Sequence, residues 1–282
     1  MALTPEELIE RRSYIGSSDV AAILGLNPWW NITDVFMEKT NRLIVRDEAP
    51  SRPADFGSRI EPVLVQLAAD TLGEEVEFNR RFTHPRDEYK SAQADGWLTR
   101  PGEIVESKAI GLWNRMFDTS EWGEEGTDEV PYMILVQVVW QLHVSGASAG
   151  HVSALLGGGL GHRLYRVEYR AELAEEIEKR VERFWEDHVL TDTPPDMPAS
   201  ISTYREVIRE PESITEVDEV LPFEYEAALV EVTDATAKRD AVKAKVLQQM
   251  GDAEVGYTPF GSFSYRADKR GRRTFRLHAA AS

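Results

Sequence analysis

Apolar positions recur at helical spacing over the first seventy residues and then alternate at strand spacing. Thr4 and Pro5 open a first helix that runs to about Arg12. A second starts at Ser17 or Ser18, carries Val20, Ile23 and Leu24, and stops at Gly25 and Asn27-Pro28. Thr33 is placed to cap a third helix holding Val35, Phe36 and Met37. Residues 44–55 read as a loop. A fourth helix runs from about Phe56 to Leu72, and Pro62 predicts a kink or a later start. Strands follow at 75–82, 91–99 and 103–109, joined as a meander by turns at Pro85 and Pro101-Gly102. Residues 131–145 return to helical spacing. Strands at 151–156 and 163–169 flank a Gly157–Gly161 turn. Residues 172–190 form an amphipathic helix with Leu173, Ile177, Val181, Phe184, Trp185 and His188 on one face.

Pro194, Pro195 and Pro198 mark a boundary, which divides the chain into a core, 1–196, and an appendage, 197–282. The appendage begins with an acidic stretch and continues as a helix over 222–250. It ends in a hairpin whose Phe263 and Tyr265 face Phe275 and Leu277 across an Asp268–Gly271 turn.

Composition adds limits. The 282 residues are 42% hydrophobic and 29% charged, as in soluble globular proteins. No apolar run approaches the roughly 18 residues a membrane span needs. The N-terminus lacks the layout of a secretory signal, and there is no cysteine, so disulfides, cysteine-bound zinc and iron–sulfur clusters are excluded. A cytoplasmic protein is expected. The net charge of −17 argues against broad, non-specific nucleic-acid binding. It does not exclude a DNA enzyme whose basic residues are local. Residues 266–276 hold six basic side chains against Asp268 alone, whereas 121–129 hold five acidic ones.

One pattern carries chemistry. With a side-chain period of two, Glu106 and Lys108 share a strand face and Ser107 points away. Pairing through the Pro101-Gly102 turn brings Asp95 beside Glu106. Two carboxylates and an amine suit phosphodiester hydrolysis: hard oxygens hold Mg²⁺, and the amine orients or deprotonates water or offsets transition-state charge. Taken alone, the same residues also fit an exposed strand with a cross-strand ion pair. His84, His143 and His151 lack metal-ligand spacing. Trp29, Trp30, Trp97 and Trp140 read as core positions.

Five segments occur in order: RRSYIGSSDVAAILGLNPW, FGSRIEPVLVQLA, AQADGWL, IVESKA and QVVWQLHVSG. Together they resemble the YqaJ-type viral recombinase family, the lambda-exonuclease-like branch of the PD-(D/E)xK nucleases, over roughly residues 7–170. The resemblance implies an α/β fold of the restriction-endonuclease-like kind, a central mixed twisted sheet flanked by helices. It places the family's helix glutamate on Glu61, its metal aspartate on Asp95, its Glu-x-Lys on Glu106 and Lys108, and its helical glutamine on Gln137, with Gln141 one turn further along. The backbone carbonyl of Ser107 would reach the metal, and Glu61 would reach it through water. A grip on the DNA 5′-phosphate falls on Arg11 or Arg12 with Ser17 and Ser18. The physics agrees, because an arginine, two hydroxyls and the N–H groups of a helix start make an anion site.

The activity so implied is 5′→3′ exonuclease action on linear double-stranded DNA with one or two Mg²⁺ or Mn²⁺ ions. The implied setting is a phage or prophage protein in a bacterial host, a single-strand annealing protein as partner, and a homo-oligomer such as a ring-shaped trimer. An endonuclease or RecB-like repair nuclease is the alternative enzyme, and a non-catalytic DNA-binding or assembly protein the alternative of another class. Two departures stand out. The acidic insertion 121–129 would repel DNA unless it points away, and lambda exonuclease has nothing that matches the region after 197.

Overall fold

The computed structural model describes residues 5–44, 52–110, 121–157 and 161–279. They form two compact units, Met1–Arg209 and Glu210–Ser282. In the first, five strands lie in sequence order: β1 (Val76–Thr83), β2 (Ser91–Leu98), β3 (Glu103–Ile110), β4 (Ala149–Leu156) and β5 (Gly161–Glu168). The expected meander forms β1 to β3, and β4 and β5 also pair antiparallel. The β3–β4 pair is parallel, so the chain must cross between them. The crossover includes α5 (Tyr132–Ser145). The sheet is therefore mixed, and the α/β expectation stands.

Both sheet faces are covered. Helix α4 (Arg52–Leu72) lays Val65, Ala68 and Ala69 against Leu98, Val105 and Leu164. The larger core holds α5 with α2 (Ser17–Ile23), α3 (Ile32–Lys39) and α6 (Ala171–Phe184), and includes Phe36, Trp140, Tyr165 and Phe184. A first helix, α1 (Pro5–Glu10), passes directly into a 3₁₀ turn, Arg11–Ser13. After α6 the last part of the predicted 172–190 helix widens into a π-helical turn, Trp185–Val189.

Close packing on both faces requires glycine at two places. A Cβ on Gly96 would meet Val65 Cγ1 at 2.6 Å and Val76 Cγ2 at 2.9 Å, and one on Gly150 would meet Ile104 Cγ1 at 2.6 Å. Gly96→Ala should cost about 1–3 kcal/mol through overpacking. The melting temperature should fall by roughly 5 °C. An unchanged melting curve would show that α4 shifts freely over the sheet.

Several local expectations are corrected. Asn31, not Thr33, caps α3: its side chain accepts from the N–H of Thr33 and Asp34, while Asp34 accepts from the N–H of Asn31. The Thr33 hydroxyl donates instead to the carbonyl of Met197, at 2.6 Å. Helix α4 starts earlier than predicted and continues through Pro62. Its buried side chains hold it on the sheet although proline removes one hydrogen bond. Thr4 and most of the 44–55 loop lie outside the described residues, as do residues 158–160 of the glycine turn.

The division between units falls at Arg209/Glu210, thirteen residues beyond the proline-rich boundary. The reason is packing. Ser200 N–H donates to Asp34, Asn31 donates to the carbonyl of Pro198, and Leu43 bridges to Val207. A short helix, α7 (Ile201–Glu206), buries Thr203 in this region. The second unit contains α8 (Leu221–Met250) and a sheet β6 (Val255–Thr258), β7 (Gly261–Ala267) and β8 (Arg273–Ala279). The predicted hairpin is β7–β8, with Phe263 opposite Leu277 and Tyr265 opposite Phe275. β6 adds a third strand that its four residues did not reveal. No helix among the described residues is long and apolar enough to cross a membrane.

Candidate active site

The β2–β3 ladder ends at the Gly96–Val105 pair. Where backbone pairing stops, the Asp95 carboxylate takes over: Oδ2 accepts the N–H of Ser107 at 2.7 Å and its hydroxyl at 2.8 Å. Ser107, expected to point away, thus reaches round to Asp95. Glu106 is buried. One of its oxygens accepts from the Lys108 ammonium and from Gln137 Nε2, the latter at 2.6 Å. Its other oxygen accepts from Gln141 Nε2 at 2.7 Å. Gln137 and Gln141 stand one turn apart on α5, so one helix face supplies both donors. Gln141 also donates to the carbonyl of Gln93, which ties α5 to β2 beside Asp95.

Charge is crowded here. Burial first, and the charge of Glu106 second, push Asp95 up to about 7. Burial and then Glu106 also raise the carboxyl of Glu61 on α4, which places it within electrostatic reach of the cluster. Lys108 is held above its ordinary value: burial lowers it, and the charges of Glu106 and Asp95 overcome that. Lys108 is therefore an ammonium in the metal-free protein.

A cleft of about 160 Å³ joins this cluster to the N-terminal residues. Asp95, Glu106 and Gln137 line it together with Arg11, Tyr14, Ser17, Ser18 and Arg81. Arg11 donates to the Ser18 hydroxyl at 2.8 Å and pairs with Asp19 and Glu38. Arg12 turns the other way, to the side chain of Asn41 and the carbonyl of Leu43. Of the two candidate arginines, the structure brings only Arg11 to the cleft.

Sequence reasoning missed Arg81, whose guanidinium lies 4.1 Å from the Tyr14 ring centroid and donates to Ser91 and Glu10. The signal was present in β1, where consecutive Arg80 and Arg81 must point to opposite faces. It also missed the buried support beneath Arg11. Asp19 and Lys39 are both buried and pair at 2.8 Å. Burial alone would raise the Asp19 carboxyl, yet Arg11 and Lys39 hold it below its usual value.

The acidic insertion is directed elsewhere. It lies along β5, where Gly126 N–H donates to the Leu164 carbonyl, Leu164 N–H to the Glu125 carboxylate, and Arg166 N–H to the Thr127 carbonyl. β4 separates that edge from β3, and the insertion serves as edge cover.

A profile of the YqaJ-like viral recombinase domain matches residues 8–148, half of the chain. The chain belongs to the YqaJ-like viral recombinase family. The uncharacterised protein YqaJ of Bacillus subtilis (strain 168) is 28% identical over 263 residues, which cover 89% of this chain and 80% of that one. The alkaline exonuclease LHK-Exo from Laribacter hongkongensis matches with a TM-score of 0.53 at 16% identity, over 67% of this chain and 94% of the other. Its complex with dAMP gives 0.54 at 18% identity over the same shares. These structures show the fold, which is that of an exonuclease. The chain thus shares its family with viral recombinase domains and its fold with these exonuclease structures.

Histidine and carboxylate groups also gather outside the cleft. His84 and His143 stack, with ring centroids 5.6 Å apart, and Glu178 lies within metal-ligand range of both. His151 is not part of this group and pairs with Glu103. The neighbouring trio Asp87, Glu178 and Glu182 already surrounds the Lys90 ammonium at 2.6–2.9 Å. Of the four tryptophans expected in the core, Trp140 is buried, Trp30 and Trp97 pack against the core, and Trp29 is instead 52% exposed.

Proposed function

We propose that this chain is a divalent-metal-dependent exonuclease that degrades linear double-stranded DNA from a 5′ end. The observation that carries the reading is the shared cleft, in which Arg11, Ser17, Ser18 and Arg81 lie together with Asp95, Glu106 and Gln137. Basic and hydroxyl groups suit a terminal phosphate. A terminal phosphate held beside a hydrolytic cluster sets where the strand is cut.

Asp95 and Glu106 offer the hard oxygens that Mg²⁺ or Mn²⁺ prefers, with the Ser107 carbonyl and Glu61 as further oxygen donors. The raised Asp95 carboxyl supports the fit, because burial first and the Glu106 charge second resist its ionisation, and a bound cation would relieve both. A bound divalent ion supplies polarisation of the phosphoryl oxygen and acidification of water. Lys108, as an ammonium, donates to the attacking water or to the phosphoryl oxygen and offsets the charge that builds there. Gln137 and Gln141 hold Glu106 in place from α5. A ring-shaped homo-oligomer would give processivity to a chain of net charge −17, since only its channel need be basic. The 3′ single strand left behind would pass to an annealing protein.

The test is incubation of linear and circular duplex DNA with Mg²⁺, with and without a 5′-phosphate. Loss of linear DNA alone supports the exonuclease. Nicked circles support an endonuclease, and intact DNA supports a binding protein. Arg11→Ala should lower the preference for phosphorylated over hydroxyl 5′ ends by roughly tenfold, the worth of one charge-assisted hydrogen bond. The ratio of kcat/KM on the two ends reads this directly. An unchanged ratio would shift the phosphate grip to Arg81.

A further inference from the structure

The second unit carries a cleft of its own, of about 480 Å³, made by one face of the β6–β7–β8 sheet. The register explains its lining. Tyr257 pairs with Ser262, Ser264 with Arg276, and Arg266 with Thr274, so these six side chains share a face. His278 joins them and shares a hydrogen bond with Ser264. The opposite face carries Phe263 and Phe275, stacked at 5.6 Å, with Lys243 of α8 over the Phe275 ring. One face thus carries the aromatic pair with Lys243 over it, and the other face is polar.

Its chemistry is that of a polyanion site. Arg266 and Arg276 are exposed, and among the described residues neither makes an ion pair. Lys269, Arg270, Arg272 and Arg273 extend the positive charge round the hairpin. The one acidic group in the cleft, Asp268, accepts the N–H groups of Arg270 and Arg272 and so is engaged in the turn. Hydroxyls of Ser262, Ser264 and Thr274 stand between the arginines as phosphate donors. Tyr257 is 84% exposed and offers a ring for base stacking. In a chain of net charge −17, this local reversal of sign is not a by-product of composition.

We infer that this sheet face binds single-stranded DNA through its sugar–phosphate backbone, with Tyr257 stacking on a base. A single strand is favoured over a duplex by shape. Duplex grooves receive convex elements such as a helix or a narrow ribbon, whereas this face is concave. The outer strands of a three-stranded sheet are about 10 Å apart, a width that suits one extended strand. The choice of DNA rests on the nuclease reading, which would generate such a strand, and the binding itself does not depend on cleavage.

The experiment uses the full chain in EDTA, so that hydrolysis is absent and binding is read alone. Labelled oligothymidine, blunt duplex and polyglutamate are titrated across a series of salt concentrations. Arg266→Ala/Arg276→Ala should lower oligothymidine affinity at least tenfold and reduce the salt slope by about 1.4. Arg266→Lys/Arg276→Lys should retain most of the affinity, and Tyr257→Ala should lose roughly tenfold. Cleavage of linear duplex with Mg²⁺ is measured on the wild type in parallel, so a failed nuclease reading is seen separately. The inference is overturned if the double alanine variant, still folded by circular dichroism, keeps its affinity and salt slope. It is equally overturned if duplex or polyglutamate binds through these arginines as tightly as the single strand.

Discussion

At pH 8 without metal, Asp95→Asn should melt above the wild type, although its cleavage of linear duplex DNA should fall about a thousandfold. The two effects share one cause. Burial and Glu106 push the Asp95 carboxyl up to about 7, so the folded protein resists its ionisation. A carboxyl raised in this way contributes stability that is fully present below its unfolded value, near 4. That contribution is lost as pH rises through about 7. Each pH unit between these values corresponds to roughly 1.4 kcal/mol at most. With local relaxation, a net difference on the order of 2 kcal/mol is expected, or roughly 4–8 °C in melting temperature. Asparagine keeps an oxygen that can accept from Ser107 and removes the charge. Melting curves of both proteins from pH 4 to pH 8 test this. They should meet near pH 4 and diverge through neutrality. Parallel curves, or a variant that melts lower at pH 8, would mean that Asp95 is not in a crowded anionic site.

The parts of this site set by strand geometry were legible in the chain. A period of two puts Glu106 and Lys108 on one face, and the short Pro101-Gly102 turn fixes Asp95 opposite Glu106. The observed ladder extrapolates to that pairing. The meander of β1 to β3 followed as well, whereas the parallel β3–β4 pair that joins it to β4 and β5 did not. What escaped depends on contacts between distant segments. Asn31 and Thr33 are both good caps, and Met197, far along the chain, decides between them by accepting from Thr33. Arg11 and Arg12 sit in a 3₁₀ turn, where successive side chains diverge by about 120°. Only Asp19, Glu38 and Ser18 settle which arginine faces the cleft. No local pattern marks Lys90, which is fully buried and pairs with Glu178 and Glu182 from α6. The proline run misled about the division of the chain, since residues just beyond it dock on α3.

Lys108→Ala should reduce kcat for linear duplex cleavage by about a thousandfold while metal affinity changes no more than threefold. This follows from the separation of tasks within Glu106-Ser107-Lys108. Glu106 keeps both glutamine donors when the ammonium is removed, so its carboxylate stays in place. The Lys108 side chain is 22% exposed and fills little of the core, so the fold should persist. What disappears is a charged donor beside the reacting phosphate, and preorganised donors of this kind are worth about two to three orders of magnitude in rate. The effect should fall on kcat and leave KM nearly unchanged, because the charge it meets builds only in the transition state. Lys108→Arg should recover part of the rate, since a guanidinium restores the charge with altered geometry. Turnover near wild type in Lys108→Ala, with a normal melting curve, would remove the lysine from the chemistry. A collapse of metal binding in that variant would instead show that the ammonium organises the carboxylates, and that its loss disables the site before any water is activated.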